Sequence, residues 1–463
     1  MATATLTPKI VTGLRRCVGS DAVLTRPAEL LPYESDAATG YRALPAAVVF
    51  VSDTDDVRGV VRLLHDAGIS FVARGSGTGL SGGALSDGGV VIETARMNRR
   101  LGIDTENRCA RVQPGVVNAQ LGAAVEPLGL MYAPDPSSEV TFTLGGNVAE
   151  NSGGPHCLKY GVTTNHVLSL IVVLSDGTEV RLPGPDAPGY DLVGLFVGSE
   201  GTLGICCEIE VRLVPRPQGV ETLLAHFDEI DPAGRAVSAI IATGIVPAAL
   251  EMIDRETLKA VEASVYAAGF PTDVAASLIV ELDGPKAGLA EQAADVEAIL
   301  REHGAREVTR AEDEDHRTRF WQARKKAFGA LGRLGSDLLV QDATVPRSRL
   351  PEVLKAVFEV ARKYDLLITN VFHAGDGNLH PNIPFDRRDE EMTRRVHAAS
   401  REIMAACVAA GGTITGEHGV GVDKREYMSL IYSDDDQRVM RWVKEVFDPS
   451  GLCNPGKILP DEE

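Results

Sequence analysis

Two histidines, a Glu-His pair and one arginine are the side chains of this sequence best suited to chemistry. His373 ends an apolar run, Gly375-Asp376-Gly377-Asn378 has the composition of a tight turn, and His380 begins the next run. Gly and Asn tolerate positive φ, so the segment reads as a β-hairpin with residues 375–378 as its loop. In that register Ala374 pairs with Leu379 and His373 with His380, and cross-strand partners share a face with Cβ atoms roughly 5 Å apart. Imidazoles that close converge on one metal ion; the competing reading is two half-exposed histidines on an edge hairpin. Asp376 and Asn378 read as turn residues. Further on, Gly416-Glu417-His418-Gly419 holds a carboxylate and an imidazole between glycines. That is poor core material and suits a place where backbone approaches a ligand closely. Arg324 lies four residues after Phe320 and one turn before Phe328 in a helix predicted over 313–333, beside its buried stripe. It is placed either to fork a carboxylate or to make a structural salt bridge.

The elements that must position these residues alternate between strand and helix. After Pro215-Arg216-Pro217-Gln218-Gly219, which marks a domain boundary, strands are predicted at 222–227, 249–253 and 277–282, with helices near 232–243 and 287–303. A strand at 338–346, a helix at 350–364 and a strand at 366–372 lead into the hairpin. A long helix at 389–410 follows, stopped by Gly411-Gly412. This half reads as an α+β cap of ferredoxin-like units.

The N-terminal half opens as β-α-β, with a strand at 46–52, a helix at 55–67 and a strand at 69–73. Arg74-Gly75-Ser76-Gly77-Thr78-Gly79-Leu80-Ser81-Gly82-Gly83 comes next. It contains a literal Gly-x-Gly-x-x-Gly, but a Rossmann site requires a helix opening at the third glycine. Here more glycines and then the strand 90–94 follow, so the Rossmann reading is rejected. The loop reads either as a nest of N–H groups for a diphosphate or as an ordinary glycine-rich turn. Three similar blocks follow: one at Gln113–Asn118, where Pro114 is predicted to open a helix, one over residues 133–161 and one over residues 189–205. Long polar loops inside a compact domain are usually functional, because their backbone groups need partners.

Composition narrows the class. The chain has 463 residues, 44% of them hydrophobic, and a formal charge of −19. That length exceeds one hydrophobic core, and the charge excludes nucleic acid as a general partner. No apolar run approaches the roughly 20 residues of a transmembrane helix, and the first 17 residues lack a secretory apolar core. A cytoplasmic location is expected, with peripheral docking to a membrane complex left open. The seven cysteines are scattered and contain no Cys-x-x-Cys, so neither a disulfide framework nor an iron–sulfur site is expected in this chain.

Four blocks carry a family resemblance: Arg74–Gly83, Pro134-Asp135-Pro136-Ser137-Ser138, Gly145-Gly146-Asn147-Val148-Ala149-Glu150-Asn151 and Val197–Ile205. In motif order, from about residue 40 to Leu459, the chain resembles the FAD-linked oxidases of the vanillyl-alcohol-oxidase/PCMH superfamily, in the branch of the glycolate oxidase FAD subunit, D-lactate dehydrogenase and D-2-hydroxyglutarate dehydrogenase. The resemblance implies an α+β fold: a PCMH-type FAD-binding domain (1–216) of two subdomains, a cap (217–410) and a C-terminal segment (411–463) that returns to the FAD domain. It implies that Arg74, Gly75, Ser76, Gly77, Thr78, Gly79, Leu80 and Ser81 wrap the FAD diphosphate. Pro134, Asp135, Pro136, Ser137, Gly145, Gly146, Asn147, Glu150, Asn151, Gly153, Glu200, Gly201, Gly204 and Ile205 are then expected to hold the rest of the cofactor, with Asn454 joining from the tail. Some relatives attach flavin through a histidine in the first glycine loop. Thr78 and its neighbours offer none, so non-covalent FAD is expected.

The same resemblance assigns His373, His380 and Glu417 to a divalent metal, Zn²⁺ first, with Mn²⁺ or Fe²⁺ also suited to that donor set. It makes Arg324 the substrate-carboxylate residue and His418 the base. The implied reaction oxidises a D-2-hydroxy acid to the 2-oxo acid, with hydride passing to flavin N5. The electron acceptor would be an iron–sulfur subunit, a quinone or a cytochrome, and a homodimer is compatible with the sequence. The alternatives are a metal-independent alcohol or aldonolactone oxidase using O₂, and an electron-relay subunit. Relatives acting on 2-hydroxyglutarate place a lysine near the strand around Val340. This stretch is apolar up to Gln341, which favours glycolate or D-lactate unless Arg347 or Lys326 compensates.

Overall fold

A computed structural model describes residues 5–461 apart from Thr39, Glu139 and Pro185. The chain forms two compact units: residues 1–153, 162–216 and 417–463 make the first, and 154–161 with 217–416 the second.

In the first unit α1 (Pro8–Val18), β1 (Val23–Leu24), β2 (Ala47–Phe50), α2 (Thr54–Asp66), β3 (Phe71–Arg74) and β4 (Val90–Glu93) build a small sheet in the order β1-β2-β4-β3. Strands β2, β4 and β3 are parallel. Asp53 caps α2 by accepting the Asp56 N–H at 3.0 Å, and Val57, Val60, Val61 and Leu64 form its buried stripe. No helix follows the glycine loop; the chain passes to β4, as the rejection of a Rossmann site requires. A second, antiparallel sheet is built from β5 (Arg100–Asp104), β6 (Cys109–Val112), β7 (Val167–Val173), β8 (Glu179–Leu182) and β9 (Ile205–Arg212), in the order β5-β6-β9-β7-β8. Helices α3 (Asn118–Val125) and α4 (Leu144–Glu150) come from the connection between β6 and β7.

The helix expected to open at Pro114 begins instead at Asn118. Gly115 turns the chain against β4's exit, and a Cβ there would meet the Thr94 carbonyl oxygen at 2.3 Å.

The second unit contains β10 (Gly219–Phe227), α5 (Ile230–Ala242), β11 (Ala249–Asp254), α6 (Arg255–Glu262), β12 (Ala276–Gly284), α7 (Leu289–Glu302), β13 (Glu307–Arg310), α8 (Glu314–Lys325), α9 (Ala327–Leu331), β14 (Asp337–Val340), β15 (Ala343–Thr344), α10 (Leu350–Lys363), β16 (Thr369–His373), β17 (Asn378–Leu379), β18 (Pro381–Phe385) and α11 (Glu390–Ala409). The sheet runs β13-β10-β12-β11-β16-β17-β15, with β18 pairing both β16 and β14. The single helix expected over 313–333 is two, broken at Lys326. The second piece contains Gly329 and ends at Gly332, both weak helix formers.

Residues 154–161 are fastened to β12: Lys159 and Tyr160 both bind the Asp283 carboxylate, and His156 Nε2 lies 3.5 Å from Glu281. Glu281 is itself a buried hub. It accepts from Arg317 Nε and Nη2 at 2.8 and 2.9 Å, Trp321 Nε1 at 2.7 Å and Thr222 Oγ1 at 2.8 Å. The first unit regains the chain at Glu417 and ends with α12 (Asp434–Phe447) and a tail that runs beside β3. There the Phe71 N–H donates to Leu452 and the Asn454 N–H to Phe71.

Candidate active site

In the second unit the hairpin pairing differs by two positions from the expected register. His373 pairs with Asn378, not with His380, because the loop is residues 374–377. Asp376 Oδ1 accepts the Asn378 N–H at 3.0 Å and Gly377 takes a φ of +83°. This Asx-type turn closes one residue earlier than expected. His380 is two residues beyond Asn378 and so stays on the same face as His373. Their ring centroids lie 5.2 Å apart. Both are buried, at 4% and 2% exposure, which removes the reading of half-exposed histidines.

Each Nδ1 of the pair faces a group that only accepts. His380 Nδ1 lies 3.2 Å from the Gln341 carbonyl, and His373 Nδ1 lies 2.7 Å from Glu251 Oε1. Glu251 comes from β11, directly across from His373 in the sheet. Burial pushes its carboxyl upward, but His373 and Arg324 beside it hold it below the usual carboxylate range. Arg324 is itself buried, with Nε 2.5 Å from Glu251 Oε2. The salt-bridge reading of Arg324 therefore describes its Nε.

Asp342, fully buried, accepts from Thr415 Oγ1 at 2.6 Å and from the Gly416 N–H at 2.9 Å. Thr413 N–H donates to the Thr344 carbonyl, and a Cβ at Gly416 would meet Asn378 and Thr344 side-chain atoms at 2.5 Å. Gly416 is thus pinned against the hairpin, and it is the last residue of this unit. Glu417 and His418 follow directly, one and two peptide units on, with consecutive Cα atoms about 3.8 Å apart. Sequence reasoning passed over Glu251 and Asp342. The available signal was a lone acid inside an apolar strand, Ala249-Leu250-Glu251-Met252-Ile253.

In the first unit the glycine-rich blocks converge. A Cβ on Gly75 would lie 2.3 Å from Thr143 Oγ1, one on Gly83 3.0 Å from Glu150 Oε1, and one on Gly419 2.5 Å from Glu150 Oε2. Asn454 Nδ2 donates to the carbonyls of Gly83 and Glu200. Ser76 Oγ donates to Thr141, and Asn118 Nδ2 ties down Pro134. The Glu200 carboxylate receives the N–H groups of Val420 and Gly421 at 2.6 and 2.7 Å. It therefore anchors the segment after His418 to the glycine loops. Burial, then the charges of Glu200 and Asp36, push the Glu150 carboxyl well above the usual carboxylate range.

Several buried polar atoms on these blocks have no hydrogen-bond partner among the described residues: Arg74 Nη1, Ser81 Oγ, Thr143 Oγ1, Glu150 Oε2 and Ser199 Oγ. Each such group costs about 1–3 kcal/mol if left unmet. Their number on loops of small residues fits a large polar ligand with a diphosphate.

The fold and these loops define an FAD-linked oxidoreductase. The chain belongs to the FAD-linked oxidase family: the model described as "FAD linked oxidases, C-terminal domain" matches residues 216–458, and "FAD binding domain" matches residues 45–183. It is 44% identical over 454 residues to glycolate oxidase subunit GlcD of Escherichia coli (strain K12), covering 97% of this chain and 91% of that protein. It is 33% identical over 431 residues to a D-lactate dehydrogenase of Anaerostipes hadrus, covering 90% of each. Among solved structures, substrate-bound p-cresol methylhydroxylase superposes with a TM-score of 0.78 at 18% identity, covering 99% of both chains. The family and fold expected from the motifs are the ones found. Among the described residues no helix is long and apolar enough to cross a membrane.

Proposed function

We propose that this protein oxidises a small 2-hydroxy acid, of the size of glycolate or D-lactate, to the 2-oxo acid, using non-covalent FAD and a divalent metal. The observation that carries the metal is the buried pair His373 and His380, side by side on one sheet face. Neutral imidazoles so arranged suit a Zn²⁺, Mn²⁺ or Fe²⁺ ion, with Glu417 as third ligand and one position open. When bound, the metal supplies Lewis acidity toward a hydroxyl oxygen, and FAD supplies the two-electron acceptor. His418 takes the proton of the C2 hydroxyl. Arg324, fixed through Nε, offers its terminal Nη donors to the substrate carboxylate.

Small size is supported by Leu338, Leu339 and Val340 in β14, which bring no cation. Lys326 is exposed and lies over the Tyr266 ring; Arg347 approaches the Gly375 carbonyl of the hairpin loop at 3.5 Å. The relatives named for glycolate and D-lactate support the same substrate class. A relative that is named as a subunit supports an electron acceptor on another chain, an iron–sulfur protein, a quinone or a cytochrome.

Anaerobic addition of glycolate, D-lactate, D-malate and D-2-hydroxyglutarate to the yellow protein tests this, with metal analysis on the same sample. Bleaching by the small monocarboxylates and its loss on chelation are expected. No bleaching by any of the four refutes the proposal, and chelator-insensitive reduction with peroxide release would transfer it to a metal-independent oxidase.

A further inference from the structure

We infer that Glu251 is a positioning residue that sets the tautomer of His373 and the place of Arg324 through one carboxylate. It deepens the proposed metal site and rests on that reading for its effect on metal, but not for its effect on the imidazole.

The geometry is cross-strand. Glu251 and His373 are directly paired between β11 and β16, so their side chains rise from the same sheet face with Cβ atoms roughly 5 Å apart. The two carboxylate oxygens have separate tasks. Oε1 lies 2.7 Å from His373 Nδ1, and Oε2 lies 2.5 Å from Arg324 Nε. An ionised carboxylate only accepts, so whenever His373 is neutral its proton sits on Nδ1. The Arg324 Nη2 to His373 Nδ1 approach, 3.5 Å, then brings two donors together and contributes no bond. With Nδ1 protonated, Nε2 carries the lone pair, and Nε2 is the nitrogen that a metal or a donor on the substrate side can use.

The arrangement is rigid for physical reasons. All three groups are buried, at 0%, 4% and 2% exposure for Glu251, His373 and Arg324. One negative carboxylate and one guanidinium cancel, so the Glu251–Arg324 pair leaves no uncompensated charge in the interior. Outer partners of this kind orient a metal-binding imidazole, and their loss typically weakens metal binding 10- to 100-fold. Because the same carboxylate also holds Arg324, one substitution should disturb two functions that the sequence shows as unrelated.

The test is Glu251→Gln in the full-length FAD protein, with ¹⁵N-labelled histidine NMR, Zn²⁺ titration and substrate saturation kinetics. The wild type is expected to show His373 as the Nδ1–H tautomer. In Glu251→Gln the amide can donate as well as accept, so His373 should shift toward a mixture, Zn²⁺ affinity should fall 10- to 100-fold, and KM for the hydroxy acid should rise through Arg324. FAD content should not change. A folded Glu251→Gln protein whose His373 stays the pure Nδ1–H tautomer overturns the inference. So does wild-type His373 found protonated on Nε2. If wild type binds no Zn²⁺ but the tautomer follows residue 251, the metal reading fails and the positioning role stands. If Glu251→Gln does not fold, the charge-balanced pair Glu251→Gln with Arg324→Gln is measured for tautomer and Zn²⁺, with the same two outcomes deciding.

Discussion

Gly377→Ala is a sharp test of the hairpin because its cost can be assembled from the backbone geometry of the turn. Gly377 has φ +83°, and a non-glycine residue there costs about 1–2 kcal/mol. Its Cβ would fall 2.1 Å from the Val345 carbonyl oxygen and 3.3 Å from the carbonyl carbon, so backbone, not a rotatable side chain, must withdraw by about 1 Å. That movement strains the Val345 N–H to Gly377 C=O bond of 2.9 Å, worth about 1 kcal/mol. The lower chain entropy of alanine returns about 0.4–1 kcal/mol. With about 1–3 kcal/mol for the backbone withdrawal, the sum is a loss of about 2–5 kcal/mol, or roughly 4–20 °C in Tm for a unit of this size. Gly329→Ala is the control: it lies in α9, its Cβ would be an ordinary 3.5 Å from Tyr266, and alanine should stabilise by about 0.5–1 kcal/mol. Urea unfolding followed by Trp321 fluorescence, in a Trp442→Phe background, reports on the second unit. Equal midpoints for Gly377→Ala and wild type, or a larger loss for Gly329→Ala, would refute the reasoning.

Other outcomes follow from the same structure. His418→Ala should retain FAD and metal while anaerobic flavin reduction slows by about 10²–10⁴-fold, the usual range for a lost general base; reduction at the wild-type rate would remove His418 from the chemistry. Burial raises the Glu93 carboxyl to about 7 against an ordinary 4.5. The folded state therefore holds a proton that the unfolded state releases, and stability falls as pH rises from about 4.5 to about 7, by up to about 3 kcal/mol. Glu93→Gln should flatten Tm across that window and exceed wild type at pH 8; parallel Tm curves for the two proteins would count against it. Glu281→Ala strands Arg317 and the Trp321 indole N–H, and should cost the second unit about 3–5 kcal/mol, measurable as a lower urea midpoint; a change under 1 kcal/mol would mean the hub is not cooperative.

Much of this protein is legible in order along the chain. Glycine density, the strand-to-strand passage after Ser81 and the Glu417-His418 pair are local features, and local backbone preference largely determined them. The same holds for most strands and helices of the second unit, which match the expected ones within a few residues. But α6 and β13 had no expected counterpart, and the strand expected over 338–346 is two, β14 and β15, paired to β18 and β17 respectively. Boundaries that depend on distant contacts were not legible. Asn118 starts α3 because Gly115 packs on the chain leaving β4, and the helix predicted over 313–333 breaks where α8 gives way to α9.

The sequence by itself determined which side chains are available: two histidines four turn residues and two strand positions apart, an arginine beside an apolar stripe, and glycine-rich polar loops suited to a large polar ligand. Strand alternation keeps both histidines on one face in the expected register and in the observed one, since the two differ by two positions. Only the tertiary structure decided which residues face them. Glu251 lies 122 positions from His373 in the chain, and Asp342 is 74 from Gly416. Neither partnership leaves a local trace, because pairing across a sheet is fixed by the order of its strands and not by the spacing of residues within any one of them.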